Sequence, residues 1–196
     1  MKVGIINLNS GNLLSMVSAV QKAGLKTTII TKPNDNVDIL VMPGQGRFGF
    51  IADKLDNNNW RAYILDWVAQ GKKFIGICVG MQMLFDSSIE NKNAKGLGLI
   101  SGTVEKLQHT KTPMVGWAQL DSTDSYYHQQ YVYFVNSYAV TKNQYCLAWV
   151  SYGNEFCAVV QKDNVIGFQF HPEKSGNYGL ELLKKALTVG KPTQSE

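Results

Sequence analysis

The chain has 196 residues, of which 44% are hydrophobic and 17% are charged, as expected for one globular domain spanning residues 1–196. Its net charge of +4 comes from scattered lysines and arginines, which argues against nucleic-acid binding, and no apolar run is long enough for a signal peptide or a membrane span. The three cysteines lack C-x-x-C spacing, which argues against a disulfide framework and a metal site. We therefore expect a cytoplasmic protein with no metal and no membrane partner.

The first half of the chain alternates between β-like and helical patterns. Apolar runs predict four strands, and amphipathic stripes predict helices after the first and third strands. The predicted strands cover residues 3–8, 26–31, 37–42 and 74–78, and the helices cover residues 13–23 and 50–70. This order predicts an α/β fold with a mostly parallel sheet and helices on both faces. Functional residues are then expected at the carboxyl ends of the strands.

The second half changes to shorter β-like runs, which predict an antiparallel extension of the sheet. The turn residues 162–164 predict a hairpin between residues 159–161 and 166–168. A last helix is predicted over Tyr178–Leu187. The runs cover residues 102–107, 113–120, 131–140, 146–152, 155–161 and 165–170.

Cys78 ends the fourth predicted strand within the pattern Gly76-x-Cys78-x-Gly80. A nucleophile that projects from a sharp turn between a strand and a helix needs small neighbours, because the backbone is crowded there. The start of the following helix would also favour a thiolate. The pattern therefore predicts a cysteine nucleophile, although a buried cysteine at the end of a core strand also fits this motif alone.

His171 is the best candidate for the base that such a cysteine needs, because it ends a strong β run. Pro172 restricts it to extended backbone angles, so that Glu173, two positions on, can lie beside the imidazole. A carboxylate in that position fixes the tautomer and leaves the other ring nitrogen for the thiol proton. A structural histidine beside a surface glutamate is the alternative for this motif alone.

An oxyanion hole is predicted from Gly44, Gln45 and Gly46 at the end of the third strand, together with the backbone N–H of Val79. The stretch Gly44–Gly49 also matches the dinucleotide pattern G-x-G-x-x-G. That pattern normally occupies the first βα turn, whereas here it follows the third strand. We therefore expect no cofactor.

Three motifs follow one another along the chain: Pro43-Gly44-x-Gly46, Gly76-x-Cys78-x-Gly80-Met81-Gln82 and Phe168–Gly176. With these motifs the chain resembles class I glutamine amidotransferases, and within them the glutaminase subunits of imidazole glycerol phosphate synthase. The resemblance covers nearly the whole chain and implies their flavodoxin-like fold. It implies that Cys78 attacks the amide of glutamine and that His171 protonates the leaving ammonia.

The resemblance also implies a heterodimer with a (β/α)₈ cyclase or synthase subunit, which receives the ammonia and makes imidazole glycerol phosphate in histidine biosynthesis. By the same resemblance, Gln82, Asn136 and Ser137 bind glutamine. The residues implied at the partner interface are Asn12, Trp117 and Tyr133.

Several positions depart from the family pattern, and none of them belongs to the triad of Cys78, His171 and Glu173. Gln45 replaces a small apolar residue, Met114 a histidine, Ala118 an asparagine, and Asn136 a histidine. These departures leave open a paralogue that supplies ammonia to another synthase, such as one that modifies a bacterial surface sugar. A stand-alone cysteine hydrolase and a non-catalytic binding subunit also remain open.

Overall fold

The fold is built on a central β-sheet, and the computed structural model describes residues 1–9, 13–33, 36–57 and 59–188. The strands are β1 (Lys2–Ile6), β2 (Lys26–Ile30), β3 (Ile39–Gly44), β4 (Lys73–Cys78), β5 (Ser87–Ser88), β6 (Asn91–Lys95), β7 (Thr103–Lys106), β8 (Met114–Gln119), β9 (Tyr131–Asn136), β10 (Tyr138–Val140), β11 (Cys146–Tyr152), β12 (Asn154–Lys162) and β13 (Val165–Phe168).

Within the described residues the central sheet has seven strands in the order β11-β12-β13-β4-β3-β1-β2. The pairs from β13 to β2 are parallel, whereas β11, β12 and β13 pair antiparallel. The prediction of a mostly parallel sheet with an antiparallel extension is confirmed. The predicted hairpin between β12 and β13 is confirmed, and β13 also pairs parallel to β4, which the sequence did not predict. It thereby brings the chain that leads to His171 beside the strand that ends at Cys78.

The helices are α1 (Leu13–Lys22), α2 (Phe48–Asn57), α3 (Trp60–Ala69), α4 (Val79–Gln82) and α5 (Gly176–Thr188). The single helix predicted over residues 50–70 was wrong: α2 ends at Asn57, and α3 begins at Trp60 after Asn59, whose backbone is left-handed (φ 57°). The last helix begins at Gly176, two residues before the predicted start. None of the described helices has the length and apolar composition of a membrane span.

Two smaller sheets lie beside the central one, and one of them was only partly predicted. Strands β10, β7, β5 and β6 form the first, and β8 and β9 form an antiparallel pair. The short strands β5 and β6 were missed because they are polar and lack an alternating apolar pattern. The run predicted as one strand over residues 131–140 divides into β9 and β10 at Ser137.

Helix α3 shows how the sequence positions the strand that ends at Cys78. Trp60, Ile64 and Trp67 recur at helical spacing and are buried. The indole N–H of Trp67 donates to the backbone oxygen of Lys73, 3.0 Å away, at the first residue of β4. The buried face of α3 is therefore fixed to the start of the strand that carries the cysteine.

Close backbone packing surrounds the turn between β4 and α4. Gly44 pairs with Cys78 across β3 and β4. A Cβ at Gly44 would lie 2.7 Å from the backbone nitrogen of Gly80, and one at Gly80 would overlap the backbone oxygen of Met42. A Cβ at Gly76 would overlap the backbone of Gly80 and Met81. These glycines allow β3, β4 and α4 to approach one another closely.

We expect Gly80→Ala to lower the free energy of unfolding by roughly 2 kcal/mol or more, because its methyl group meets backbone that cannot rotate away. Gly49→Ala is the matched control, since the nearest group there is the side-chain amide of the exposed Asn91. Urea denaturation of both variants measures the difference. Equal losses of stability in the two variants would contradict the close-packing argument.

Candidate active site

Cys78 occupies a strained turn at the carboxyl end of β4. Its backbone angles are φ 55° and ψ −114°, and α4 begins at the next residue. A non-glycine residue is rarely found in such a conformation, and strain of this kind clusters at functional sites. The residue is 4% exposed, and its Sγ lies 3.8 Å from the backbone oxygen of Val135 in β9. The turn therefore holds the sulfur in a fixed position next to the backbone of β9.

His171 and Glu173 form a buried pair just after β13. The Nδ1 atom of His171 lies 2.8 Å from Oε1 of Glu173, and each side chain is 4% exposed. His171 has an extended backbone (φ −98°, ψ 95°), and a 3₁₀ turn over Pro172–Lys174 follows it. The proline at the start of that turn and the extended histidine bring the carboxylate beside the ring.

Cys78 and Glu173 together determine the protonation of His171. Burial of the imidazole lowers its pKa, but hydrogen bonds to Cys78 and Glu173 and the charges of these two groups outweigh burial and raise the pKa to about 9. The ring therefore keeps its proton at neutral pH, where it can be given to a leaving group.

A cavity of about 390 Å³ opens beside Cys78 and His171. Its volume is in the range of small-molecule sites. The predicted site residues that line it, besides Cys78 and His171, are Gln45, Gly46, Val79, Gln82, Asn136 and Ser137. Gly44 lies in β3 opposite Cys78, and Glu173 lies behind the imidazole. The structure thus brings together residues from four separate parts of the sequence.

The amide of Gln82 has a defined orientation. Its Nε2 donates to the backbone oxygen of Tyr138 at 2.9 Å and to Oε1 of Gln169 at 3.1 Å. Because both amide hydrogens are directed to these acceptors, the oxygen is the end of the amide that can accept from a ligand. Asn136 donates to the same backbone oxygen at 3.1 Å, and its buried Oδ1 has no partner among the described residues. Both side chains present oxygen acceptors.

Glu90 also lines the cavity, and the sequence analysis missed it. It lies in the turn between β5 and β6, and its Oε2 accepts from the backbone N–H of Phe48 at 2.8 Å. This contact attaches the turn to the start of α2, and it holds Glu90 at the wall of the cavity. No local pattern identifies Glu90, because the strands that flank it are short and polar.

One face of the β8–β9 pair is apolar and exposed, and we call it the outer face. Trp117 and Tyr133 are opposite one another across the pair, with ring centroids 5.9 Å apart. Trp117 is 56% exposed, so it does not belong to the core. The other exposed apolar residues on the pair are Val115, Tyr131 and Val135. Asn12 lies outside the described residues.

The parallel sheet, the cysteine at its carboxyl edge and the adjoining buried histidine define an α/β enzyme with a thiol at its candidate active site. The model of the family "Glutamine amidotransferase class-I" matches residues 5–188. The chain therefore belongs to the class I glutamine amidotransferases.

Among curated relatives, the chain is 39% identical to the imidazole glycerol phosphate synthase subunit HisH of Saccharolobus solfataricus, over 94% of this chain and 98% of that protein. It is 36% identical to imidazole glycerol phosphate synthase hisHF of Schizosaccharomyces pombe, over 96% of this chain and 38% of that protein. A crystal structure of a glutamine amidotransferase matches with a TM-score of 0.78 at 18% identity, covering 94% of this chain and 97% of that one. This last likeness concerns the fold alone.

We expect Cys78→Ala to lower the pKa of His171 below about 9, because the variant removes one of the two groups that raise it while the ring stays buried. Imidazole nitrogen and carbon chemical shifts, followed by NMR during a pH titration, measure the change. Cys157→Ala, at a buried cysteine that does not line the cavity, is the control. An unchanged pKa in Cys78→Ala would show that the thiol does not act on the imidazole.

Proposed function

We propose that this chain, as a single domain over residues 1–196, is the glutaminase subunit of an imidazole glycerol phosphate synthase. It hydrolyses glutamine to glutamate and ammonia. The observation that carries the proposal is the arrangement of Cys78, His171 and Glu173 beside a cavity of about 390 Å³. The 39% identity to a HisH subunit over 94% of the chain supports the assignment to histidine biosynthesis.

In the first step the Cys78 sulfur attacks the side-chain amide carbon of glutamine. A carbon–sulfur bond forms, the thiol proton resides on His171, and the carbonyl oxygen becomes negatively charged. The imidazolium then gives its proton to the amide nitrogen, the carbon–nitrogen bond breaks, and ammonia leaves. Glu173 holds the ring through Nδ1, so that Nε2 faces the reacting atoms.

In the second step water hydrolyses the glutamyl thioester. His171, now neutral, takes a proton from the water as it attacks the thioester carbon. The carbon–sulfur bond breaks, Cys78 regains its starting state, and glutamate is released. One glutamine and one water thus give one glutamate and one ammonia.

Backbone groups and side chains around the cavity suit the two ends of glutamine. In this proposal the N–H of Val79 and the segment Gly44–Gly46 supply the donors for the developing oxyanion, and Gln45, Gly46 and Val79 line the cavity. The carboxylate of Glu90 and the oxygen of Gln82 suit the α-ammonium group, because both are acceptors in the cavity. Asn136 and Ser137 complete the substrate site.

The outer face of the β8–β9 pair suits a large protein partner. We propose that a (β/α)₈ synthase subunit docks there, forms a heterodimer and receives the ammonia. An exposed apolar face next to the cavity is typical of an interaction site. The hisHF relative, of which this chain covers 38%, supports a partnership with a second part of the synthase, because its name joins the two parts in one protein. The exposure of Trp117 does not favour a stand-alone hydrolase.

Cys78→Ala should lower glutaminase turnover by at least about 10³-fold, because no other group supplies the nucleophile. Glu173→Gln should cause a smaller loss, since an amide still contacts the ring but cannot stabilise its charge. Glutamate production in the presence of the barrel subunit and its ligand measures both variants, and Cys146→Ala is the control. Wild-type turnover in Cys78→Ala would contradict the proposed chemistry.

Trp117→Ala should weaken binding of the barrel subunit by at least about tenfold, because a tryptophan hot spot in an interface costs about 2 kcal/mol or more when it is truncated. Phe50→Ala, at an aromatic residue of α2 that is 44% exposed, is the matched control. Isothermal titration calorimetry measures both affinities. Equal affinities for the two variants would exclude the outer face as the docking site.

The coupling between the subunits has its own test, which compares glutamine turnover by the wild type with and without the barrel subunit. Equal turnover in the two measurements would contradict the proposed coupling.

A further inference from the structure

A closed set of hydrogen bonds joins the segment around His171 to strand β9. The backbone N–H of His171 donates to the backbone oxygen of Tyr133 at 2.9 Å. The backbone N–H of Tyr133 donates to Oγ of Ser175 at 2.9 Å, and that hydroxyl donates to the backbone oxygen of His171 at 2.7 Å. Ser175 is 2% exposed, so solvent does not compete for these bonds. The backbone on both sides of the imidazole is thereby fixed to one residue of β9.

The same edge of β9 also contacts the nucleophile. In a strand, backbone carbonyls two residues apart point in the same direction. The oxygen of Tyr133 accepts from His171, and the oxygen of Val135 lies 3.8 Å from Sγ of Cys78. Strand β9 therefore acts as a common support for the histidine and the cysteine, which come from segments that are far apart in the sequence.

Within this set of hydrogen bonds, the hydroxyl of Ser175 is the one side-chain group, and the other donors and acceptors are backbone atoms of His171 and Tyr133. The backbone oxygen of His171 also accepts from the N–H of Lys174 at 3.0 Å, so loss of the hydroxyl leaves that oxygen bonded. The N–H of Tyr133, by contrast, would lose the acceptor that Ser175 provides. Without it, the hydrogen bonds of the described residues leave the histidine segment attached to β9 through the bond between His171 and Tyr133, so the segment is less firmly held.

We infer that Ser175 is a positioning residue that keeps the His171 imidazole in line with Cys78 by fixing the histidine segment to β9. The inference rests on the proposed function for its effect on turnover, but not for its effect on the imidazole. Reacting groups displaced by about 1 Å can lose about 10²-fold in rate. Ser175 itself does not line the cavity, so its loss should leave glutamine affinity nearly unchanged.

Ser122 provides a matched control elsewhere in the fold. Its hydroxyl donates to the backbone oxygen of Leu147 at 2.6 Å and accepts from the backbone N–H of Asp124 at 3.0 Å. It is 8% exposed and does not line the cavity. Ser122→Ala therefore removes the same two kinds of hydrogen bond from a buried serine. Ser122 is far from Cys78, His171 and Glu173 in the sequence, and it makes none of the hydrogen bonds that join His171 to β9.

The test compares Ser175→Ala with Ser122→Ala in the complex with the barrel subunit. For Ser175→Ala we expect kcat for glutamine hydrolysis to fall roughly 10- to 100-fold with KM changed by less than about threefold. In the isolated chain, NMR titration should show that the pKa of His171 falls below about 9, because a displaced ring stays buried but loses contact with Cys78. Ser122→Ala should change neither quantity.

Ser175→Cys is a second variant of similar size with a weaker donor and acceptor, and its kcat and imidazole pKa should lie between those of the wild type and Ser175→Ala. It also replaces the alanine variant if that variant does not fold. Wild-type kcat and pKa in a folded variant with lowered unfolding free energy would overturn the inference and leave Ser175 a purely structural cap. If the wild type shows no glutaminase activity, the proposed function fails, and the pKa comparison still decides the role of Ser175.

Discussion

The close approach of β3, β4 and α4 is the constraint on which the site depends. The glycines at positions 44, 76 and 80 let backbone pack against backbone where a Cβ would not fit. Only with that packing can Cys78 keep a positive φ at the end of a buried strand. The strain of this turn, of order 1–3 kcal/mol, is offset by the surrounding sheet, and it directs the sulfur away from the core toward the cavity.

Around this fixed sulfur, long-range packing assembles the other groups. Strand β13 pairs parallel to β4, which brings His171 to the same edge of the sheet as Cys78. Burial then makes the interactions among the three side chains strong, because water does not screen them. The raised pKa of His171 results from that assembly, since burial alone would have lowered it.

The sequence allowed much of this to be predicted, because the relevant features are local. Apolar runs that alternate with helical stripes predicted the parallel sheet, and the glycines around Cys78 and the proline after His171 predicted where these two side chains would point. The role of Glu90 could not be predicted, since it depends on a polar turn that packs against α2 through one backbone contact. The role of Ser175 was missed because it depends on a tertiary contact with Tyr133. The division between α2 and α3 was missed because it depends on local backbone angles, such as the left-handed one of Asn59.

Strand β9 serves two purposes with different sets of atoms. Its contacts to Cys78 and to the His171 segment use the backbone N–H and oxygen of Tyr133 and the backbone oxygen of Val135. Its outer face uses side chains, which can be exchanged without removing a backbone group. Under the docking proposed above, substitutions at these positions would change which subunit docks, while the backbone support of Cys78 and His171 persists. During evolution, the side chains on such a strand could change to suit a new partner, because the chemistry at Cys78 and His171 depends on its backbone and not on those side chains.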